Sequence, residues 1–468
     1  MRNHTTLAET AAALRSGDVS ARAIWDAAQE RHEDCGDLLN AYLVWADEMA
    51  AESAKAANAA FAAGRDLGPL QGLPISFKDH YGIDGLPTYA GTSRRLPEKW
   101  EREGPVVQGA KRQLSVITGK THSVEFAASG IGDNPHWGAP RNPWDAELPR
   151  GTGGSSSGAA VSLWEGSCRV AFGTDTRGSV RIPGAMSGVV GLKITAGRWS
   201  DDGIVPLDPE HDTPGPLTLS VQDSAYVFAA LDPAHVRNPQ GLLNNLEQSR
   251  LSDFRIGIAD ACFWGGCSPG VAEAAKAALS ELEAAGAQLG DADSPESRDL
   301  EEVFMRGRLL MPDLFAFIET ELPEWAEQLE PRLQKGAERM QRLLATDHIK
   351  RKLWVRSLAE TADRCFANID VIACPTVPRT PPVLVDGAPV FADDDPPEHI
   401  CARNTCLVNF FGWCAITLPV GLDQLGMPVG LQLMAPGGHE ETLLAVASAA
   451  ERTFGDVRSR LGTPPLLG

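Results

Sequence analysis

The sequence predicts an α/β fold: a single large domain with a central mixed β-sheet flanked by helices. Two observations predict it. Short apolar runs bounded by turn residues, which read as buried strands, alternate with segments of helical period along all 468 residues. No repeat, low-complexity linker or shift of composition cuts the chain cleanly in two. Apolar residues make up 43% and charged residues 22%, so the chain can build a large core and is not disordered by composition.

Residues 5–65 read as helices, because Ala and Leu recur at three- and four-residue spacing. Thr6 followed by Glu9 offers a capping box at the start. The Ala-rich stretch 46–63 suits one amphipathic helix. From 66 to 220 Gly, Pro, Ser and Thr are dense, and short apolar runs at 73–77 and 189–192 suggest buried strands with irregular connections. FRIGIAD at 254–260 reads as another buried strand and 271–285 as a helix. The segment 296–366 has few Gly or Pro and many charges, which predicts a helix-rich segment on one side. VIACP at 371–375, AITLPVG at 415–421 and VGLQLMA at 429–435 are predicted strands, and 440–451 a last helix.

Lys and Arg total 42 and Asp and Glu total 62, a net charge of −20. That argues against nucleic acid as a partner, since a general binder needs a basic surface to release counterions. No run of about 18 apolar residues exists, so no membrane span is expected. The polar start MRNHTTLAET lacks an apolar signal core, so a cytoplasmic location is expected. The nine cysteines are dispersed and form no CxxC. Cys262 and Cys267, like Cys401 and Cys406, stand five apart, but no second pair or His cluster has ligand spacing. The expectation is therefore no metal, no cofactor and reduced thiols.

The densest chemistry lies in GTGGSSSGAAVSLWEGSCRVAFGTDTRGSVRIP at 151–183. Small residues let backbone approach a ligand closely, and their N–H groups can face a developing anion. Two generic motifs touch this region. Gly154 to Gly158 fits GxSxG, but a nucleophile elbow needs a strand directly before it, and PRGTG is turn material. Gly119-Lys120-Thr121 resembles the end of a phosphate-binding loop, but Leu114 stands where that loop requires Gly.

GLPISFKD at 72–79, GKTHSVEFA at 119–127, NPWD at 142–145, GGSSSG at 153–158, GTDTRGSVRIP at 173–183, GLK at 191–193, LDPEHDTPGPLTLSVQD at 207–223 and LPVGLDQLGMPVGLQL at 418–433 follow one another in an order that resembles the amidase signature family. The resemblance covers nearly the whole chain. It implies one domain over 1–468, with a helical part at 1–66, a catalytic core at 67–225 and a pocket wall from 296–366. It implies a Ser-cisSer-Lys triad: Ser179 as nucleophile, Ser155 as bridging serine after a cis peptide, and Lys78 as base. Gly153 and Gly154 give room for that peptide. The backbone N–H groups of Thr176, Arg177, Gly178 and Ser179 are the implied oxyanion hole.

The residue chemistry agrees. A serine hydroxyl is a poor nucleophile until something takes its proton. An exposed Lys is charged at pH 7, whereas a Lys ending a buried strand such as LPISFKD is desolvated and loses basicity. Asp175 and Arg181 flank the oxyanion turn and read as a structural ion pair. Ser156 is expected to support the site by hydrogen bonding, and Ser129 either does the same, contacts substrate, or is a plain turn residue.

Several positions depart from the family pattern. Arg177 stands where Gly is usual. Either it is strained there at positive φ, its guanidinium faces the pocket and favours an anionic or carbonyl-rich substrate, or it folds outward to a surface acid. Ser157, Trp164, Glu165 and Thr152 are milder departures. Met305, Leu309, Met311, Phe315 and Trp325 could line a pocket wall or be ordinary core, and Asn409 and Trp413 are further weak candidates. The reading is an amidase that cleaves the C–N bond of a small-molecule amide through an acyl-enzyme. One alternative is an A-type component of a glutamyl-tRNA amidotransferase. The other is a non-catalytic binding protein on the same scaffold. A homodimer stays open.

Overall fold

Among the residues described by the computed structural model, 6–292, 309–385, 388–390 and 397–468, eleven strands pair into one sheet. In chain order the strands are β1 (Tyr42–Trp45), β2 (Pro74–Lys78), β3 (Val116–Thr121), β4 (Val170–Thr174), β5 (Val190–Lys193), β6 (Pro214–Thr218), β7 (Arg255–Ile258), β8 (Gln288–Asp291), β9 (Val371–Pro375), β10 (Val383–Val385), β11 (Ala388–Val390), β12 (Cys414–Leu422) and β13 (Pro428–Ala435). The sheet order is β1-β3-β2-β4-β6-β5-β12-β13-β9-β7-β8, and β10 and β11 form a separate two-stranded antiparallel sheet. β2 runs parallel to β3 and β4, whereas β12 runs antiparallel to β5 and β13, so the sheet is mixed as predicted.

β2 is buried along its whole length, as its near-continuous apolar run requires. The helices Ser157–Glu165 and Ala21–Leu39 pack against it. Phe77 stacks on Phe172 of β4 with ring centroids 4.9 Å apart. Gly158 permits the close approach of its helix: a Cβ there would lie 2.1 Å from the Ala41 carbonyl oxygen. Helices Val271–Ala284 and Glu440–Phe454 lie against β12 and β13. The departures at 164 and 165 are absorbed by packing. Trp164 donates its indole N–H to the Ser187 carbonyl at 2.7 Å, and Glu165 meets the His32 ring nitrogen at 2.7 Å.

The capping box forms as read: Thr6 Oγ1 accepts from the Glu9 N–H at 3.2 Å, and Glu9 accepts from the Thr6 N–H at 2.9 Å. The helical reading of 5–65 needs one correction, because β1 interrupts it. Its aromatic residues serve an edge strand paired antiparallel to β3, with Trp45 stacked on Trp25 at 5.3 Å. Gly119-Lys120-Thr121 lies in β3 itself, which excludes a phosphate-binding loop. The Ser block is preceded by irregular backbone rather than a strand, which excludes the nucleophile elbow.

Of the segment 296–366, residues 296–308, including Met305, lie outside the described residues. The rest forms the helices Met311–Glu321, Pro331–Met340 and Ala345–Ala362 with short 3-10 turns. Phe315 and Trp325 are buried, with Met311 packed against them, in a cluster holding Phe126 and Leu207, which is the core reading of those residues. Trp413 is also structural: its indole N–H donates to Asp363 at 2.7 Å. No helix among the described residues is long and apolar enough to cross a membrane. The nine cysteines, all among the described residues, form no disulfide.

Candidate active site

β2, the Ser block and the turn after β4 bring Lys78, Ser155 and Ser179 into one buried region. Lys78 ends β2 with no exposed surface, and its Nζ lies 2.7 Å from Ser155 Oγ and 2.7 Å from Thr174 Oγ1. Burial drives the amine down to about 7, and the charges of Asp212, Asp175 and Asp79 hold it from falling further. A half-neutral amine at physiological pH, touching a serine hydroxyl, is equipped to accept a proton.

The peptide between Gly154 and Ser155 is cis. Glycine is required around it by contact: a Cβ on Gly153 would lie 2.7 Å from Pro183 Cα, and one on Gly154 would lie 2.9 Å from the Ser129 carbonyl. Ser156 is tied to the end of β4. Its Oγ accepts from the Thr174 N–H at 3.2 Å and donates to the Thr174 carbonyl at 3.3 Å. The Ser156 N–H reaches the Ser179 carbonyl at 3.4 Å. The Ser block is thereby stitched to β4 and to the turn that follows it.

Asp175 organises that turn. Its carboxylate accepts from the N–H groups of Gly178 at 2.8 Å, Val180 at 3.2 Å and Arg181 at 3.4 Å. Arg181 adds a two-pronged pair through Nε at 3.0 Å and Nη2 at 2.9 Å, with both side chains fully buried. Burial pushes the Asp175 carboxyl up, but Arg181 outweighs it and holds the group at about 2.

Two site expectations change. The Gly178 N–H is spent on Asp175, which removes it from the oxyanion set in this arrangement. The N–H groups of Thr176 and Ser179 make no hydrogen bond among the described residues. Ser129 is a turn residue: its Oγ accepts from the Ile131 N–H at 3.2 Å and donates to Asp133 at 3.1 Å, which commits the hydroxyl away from substrate. Arg177 is not strained, because the positive φ of the turn, +123°, falls on Gly178. Arg177 is half-buried, its carbonyl accepts from Thr405 Oγ1 at 2.6 Å, and its charge acts on Cys406.

Gly178 carries a testable constraint. A Cβ there would lie 2.1 Å from Thr405 Oγ1 at a φ that side chains disfavour. Gly178→Ala is expected to displace the turn and lower kcat by about 10²-fold, the scale of a misplaced reacting group. Steady-state kinetics beside thermal unfolding checks this; wild-type kcat would contradict it.

Some site residues carry no separate signal in the sequence. Thr174 and Asp212 sit in family segments without drawing attention, and Gln432 lies in a plain strand. Asn409, a weak candidate in the sequence, donates from Nδ2 to the Asp175 carbonyl at 3.1 Å and to its Oδ1 at 3.0 Å. Lys120 is buried with Asp79 at 3.0 Å, one residue beyond Lys78. Behind Asn409 lies a cavity of about 320 Å³ bordered by Leu309, His211, Lys352 and Phe410.

A family model described as Amidase matches residues 23–444. The chain is 43% identical over 464 residues to 2-amino-5-chloromuconic acid deaminase of Comamonas testosteroni, covering 99% of each chain. It is 32% identical to the A subunit of glutamyl-tRNA(Gln) amidotransferase from Synechococcus sp. (strain CC9902), covering 97% of each. Among solved structures, an amidase crystal structure superposes with a TM-score of 0.83 at 29% identity, covering 96% of this chain and 99% of the other.

Proposed function

The chain belongs to the amidase family and is an enzyme that hydrolyses C–N amide bonds, and from that premise we propose that it acts through Ser179, Ser155 and Lys78 on a small substrate bearing a carboxylate. The observation that carries the catalytic assignment is the fully buried Lys78 amine 2.7 Å from Ser155 Oγ.

Neutral Lys78 takes a proton from Ser155 Oγ, and Ser155 takes one from Ser179 Oγ as that oxygen attacks the acyl carbon. The N–H groups of Thr176 and Ser179, with that of Arg177 beside them, face the developing oxyanion. The relay then runs backward: Lys78 returns the proton through Ser155 to the leaving nitrogen, and an amine or ammonia departs. Water, activated by the same relay, releases the acid from Ser179.

The substrate class rests on two supports. The relative at 43% identity is named for deaminating an acid. Arg177 stands in the turn after β4 where the family pattern usually has Gly, and a guanidinium turned from there toward the pocket would suit a carboxylate through charge-assisted hydrogen bonds. The amidotransferase reading is favoured by the second relative, but in it the protein passes ammonia to a partner. Purified alone, this chain is expected to release ammonia from a small carboxamide that also bears a carboxylate. Arg177→Gly should cut kcat/KM for acidic substrates about 10- to 100-fold, the loss of one charge-assisted contact, and spare neutral amides. Equal losses on both would remove the acid selectivity, and no turnover without a partner would favour the amidotransferase reading.

A further inference from the structure

Three carboxylates act on Lys78, and they are not alike. Asp79 is paired with Lys120 at 3.0 Å, and Asp175 with Arg181 at 2.9 Å. Asp212 is half-buried, and its carboxylate meets only neutral groups, the Thr176 hydroxyl and two backbone N–H groups. One carboxylate oxygen accepts from Thr176 Oγ1 in the oxyanion turn. The other accepts from the N–H groups of Leu207 at 2.8 Å and Asp208 at 3.1 Å. The next residue, Thr213, clamps the same turn from the backbone side. Its carbonyl accepts from the Asp175 N–H at 2.7 Å, and its hydroxyl donates to the Asp175 carbonyl at 2.8 Å.

We propose that Asp212 is a positioning residue of the reaction, whose one carboxylate both fixes the oxyanion turn through Thr176 and sets the field felt by Lys78. This rests on Lys78 being the base. The other charged and titratable groups around the pair come from every packed element. They are Asp79 and His80 after β2, Lys120 of β3, Asp175 and Arg181 of the turn, Lys193 of β5, and Asp208 with His211 in the covering loop. Each of the other acids has its own cation or histidine, so Asp212 contributes the negative field that none of them cancels. Burial raises its own carboxyl to about 7, against the hydrogen bonds from Thr176, Leu207 and Asp208, so its charge changes in the range where Lys78 titrates.

The test is the pH profile of kcat/KM for ammonia release by the full chain. Removing the negative field makes protonated Lys78 less favourable. Asp212→Asn is therefore expected to move the acid limb down by about one pH unit and to lower the plateau kcat with KM little changed. Asp212→Glu keeps the charge while displacing the Thr176 contact, so it should lower kcat and leave the limb where the wild type has it. An Asp212→Asn limb at the wild-type position overturns the proposal even if kcat falls. If that variant fails to fold, an Asp212→Glu limb moved downward overturns it instead. Failure of the base assignment looks different: the wild-type profile itself then shows no acid limb near 7.

Discussion

Lys78→Met is expected to abolish turnover while leaving the protein at least as stable as the wild type. Removing the base or the nucleophile of a serine hydrolase costs about 10⁴–10⁶ in kcat. Ser179→Ala should fall to the same floor, and the double variant no lower, because the residues act as one unit. The pH dependence follows from the sign of the shift. Lys78 is a base only when neutral, and its amine sits near 7. Activity should rise through about pH 7 and drop about tenfold per unit below it. Stability moves in a related way. The amine is lowered from 10.5, so in the range from about 7 to 10.5 the unfolded chain binds more protons than the folded one. Wild-type stability therefore rises with pH across that range, and Lys78→Met should lose that rise. Denaturant unfolding at several pH values beside steady-state kinetics reads both. A Lys78→Met protein that keeps turnover would remove the relay, and one that unfolds would make the lysine structural.

The contrast between Lys78 and the residues around it shows what is legible in the sequence. Lys78 is found through the order of the family-like segments, because a cation ending an apolar run is by itself more often a snorkelling surface lysine; once the run is buried, desolvation of the amine follows. The Ser block is a local pattern. The strands that bring these pieces together are legible where their apolar runs are continuous, as at 371–375 and 429–435. β1 escapes such a reading because four residues between helices give too little period, and its strand state depends on pairing with β3. Asp212, Gln432 and Thr405 escape it for another reason. Each acts through a contact far away in sequence: Gln432 accepts from Arg181 across 251 positions, and Thr405 reaches the Arg177 carbonyl across 228. No spacing rule encodes such pairs. The Gly178 N–H illustrates the same limit, since only the position of the Asp175 carboxylate decides whether that donor faces substrate or the protein.

Arg181→Ala is expected to cost both stability and activity, through different atoms. The guanidinium is fully buried and satisfied: it pairs with Asp175, donates from Nη1 to Gln432 Oε1 at 2.6 Å and from Nη2 to Asn409 Oδ1 at 2.7 Å. Removing it leaves Asp175 buried without its counter-charge, a loss of about 3–5 kcal/mol. In the wild type the carboxyl is held at about 2, below its ordinary 3.8. Its contribution is therefore present above that ordinary range and is lost as pH falls through about 2. Without Arg181, burial pushes Asp175 up, and a protonated acid binds the Gly178 and Val180 N–H groups more weakly. The turn then loses the anchor that aims Thr176 and Ser179. The double variant Asp175→Asn, Arg181→Met separates the two effects. It removes both buried charges, and uncharged replacements of buried pairs are often tolerated, so most of the stability should return. The three N–H bonds to a carboxylate do not return, so kcat should stay reduced by about 10²-fold or more. Recovery of stability and kcat together would mean that Arg181 only neutralises Asp175. Recovery of stability alone would mean that the ionised carboxylate itself shapes the oxyanion turn.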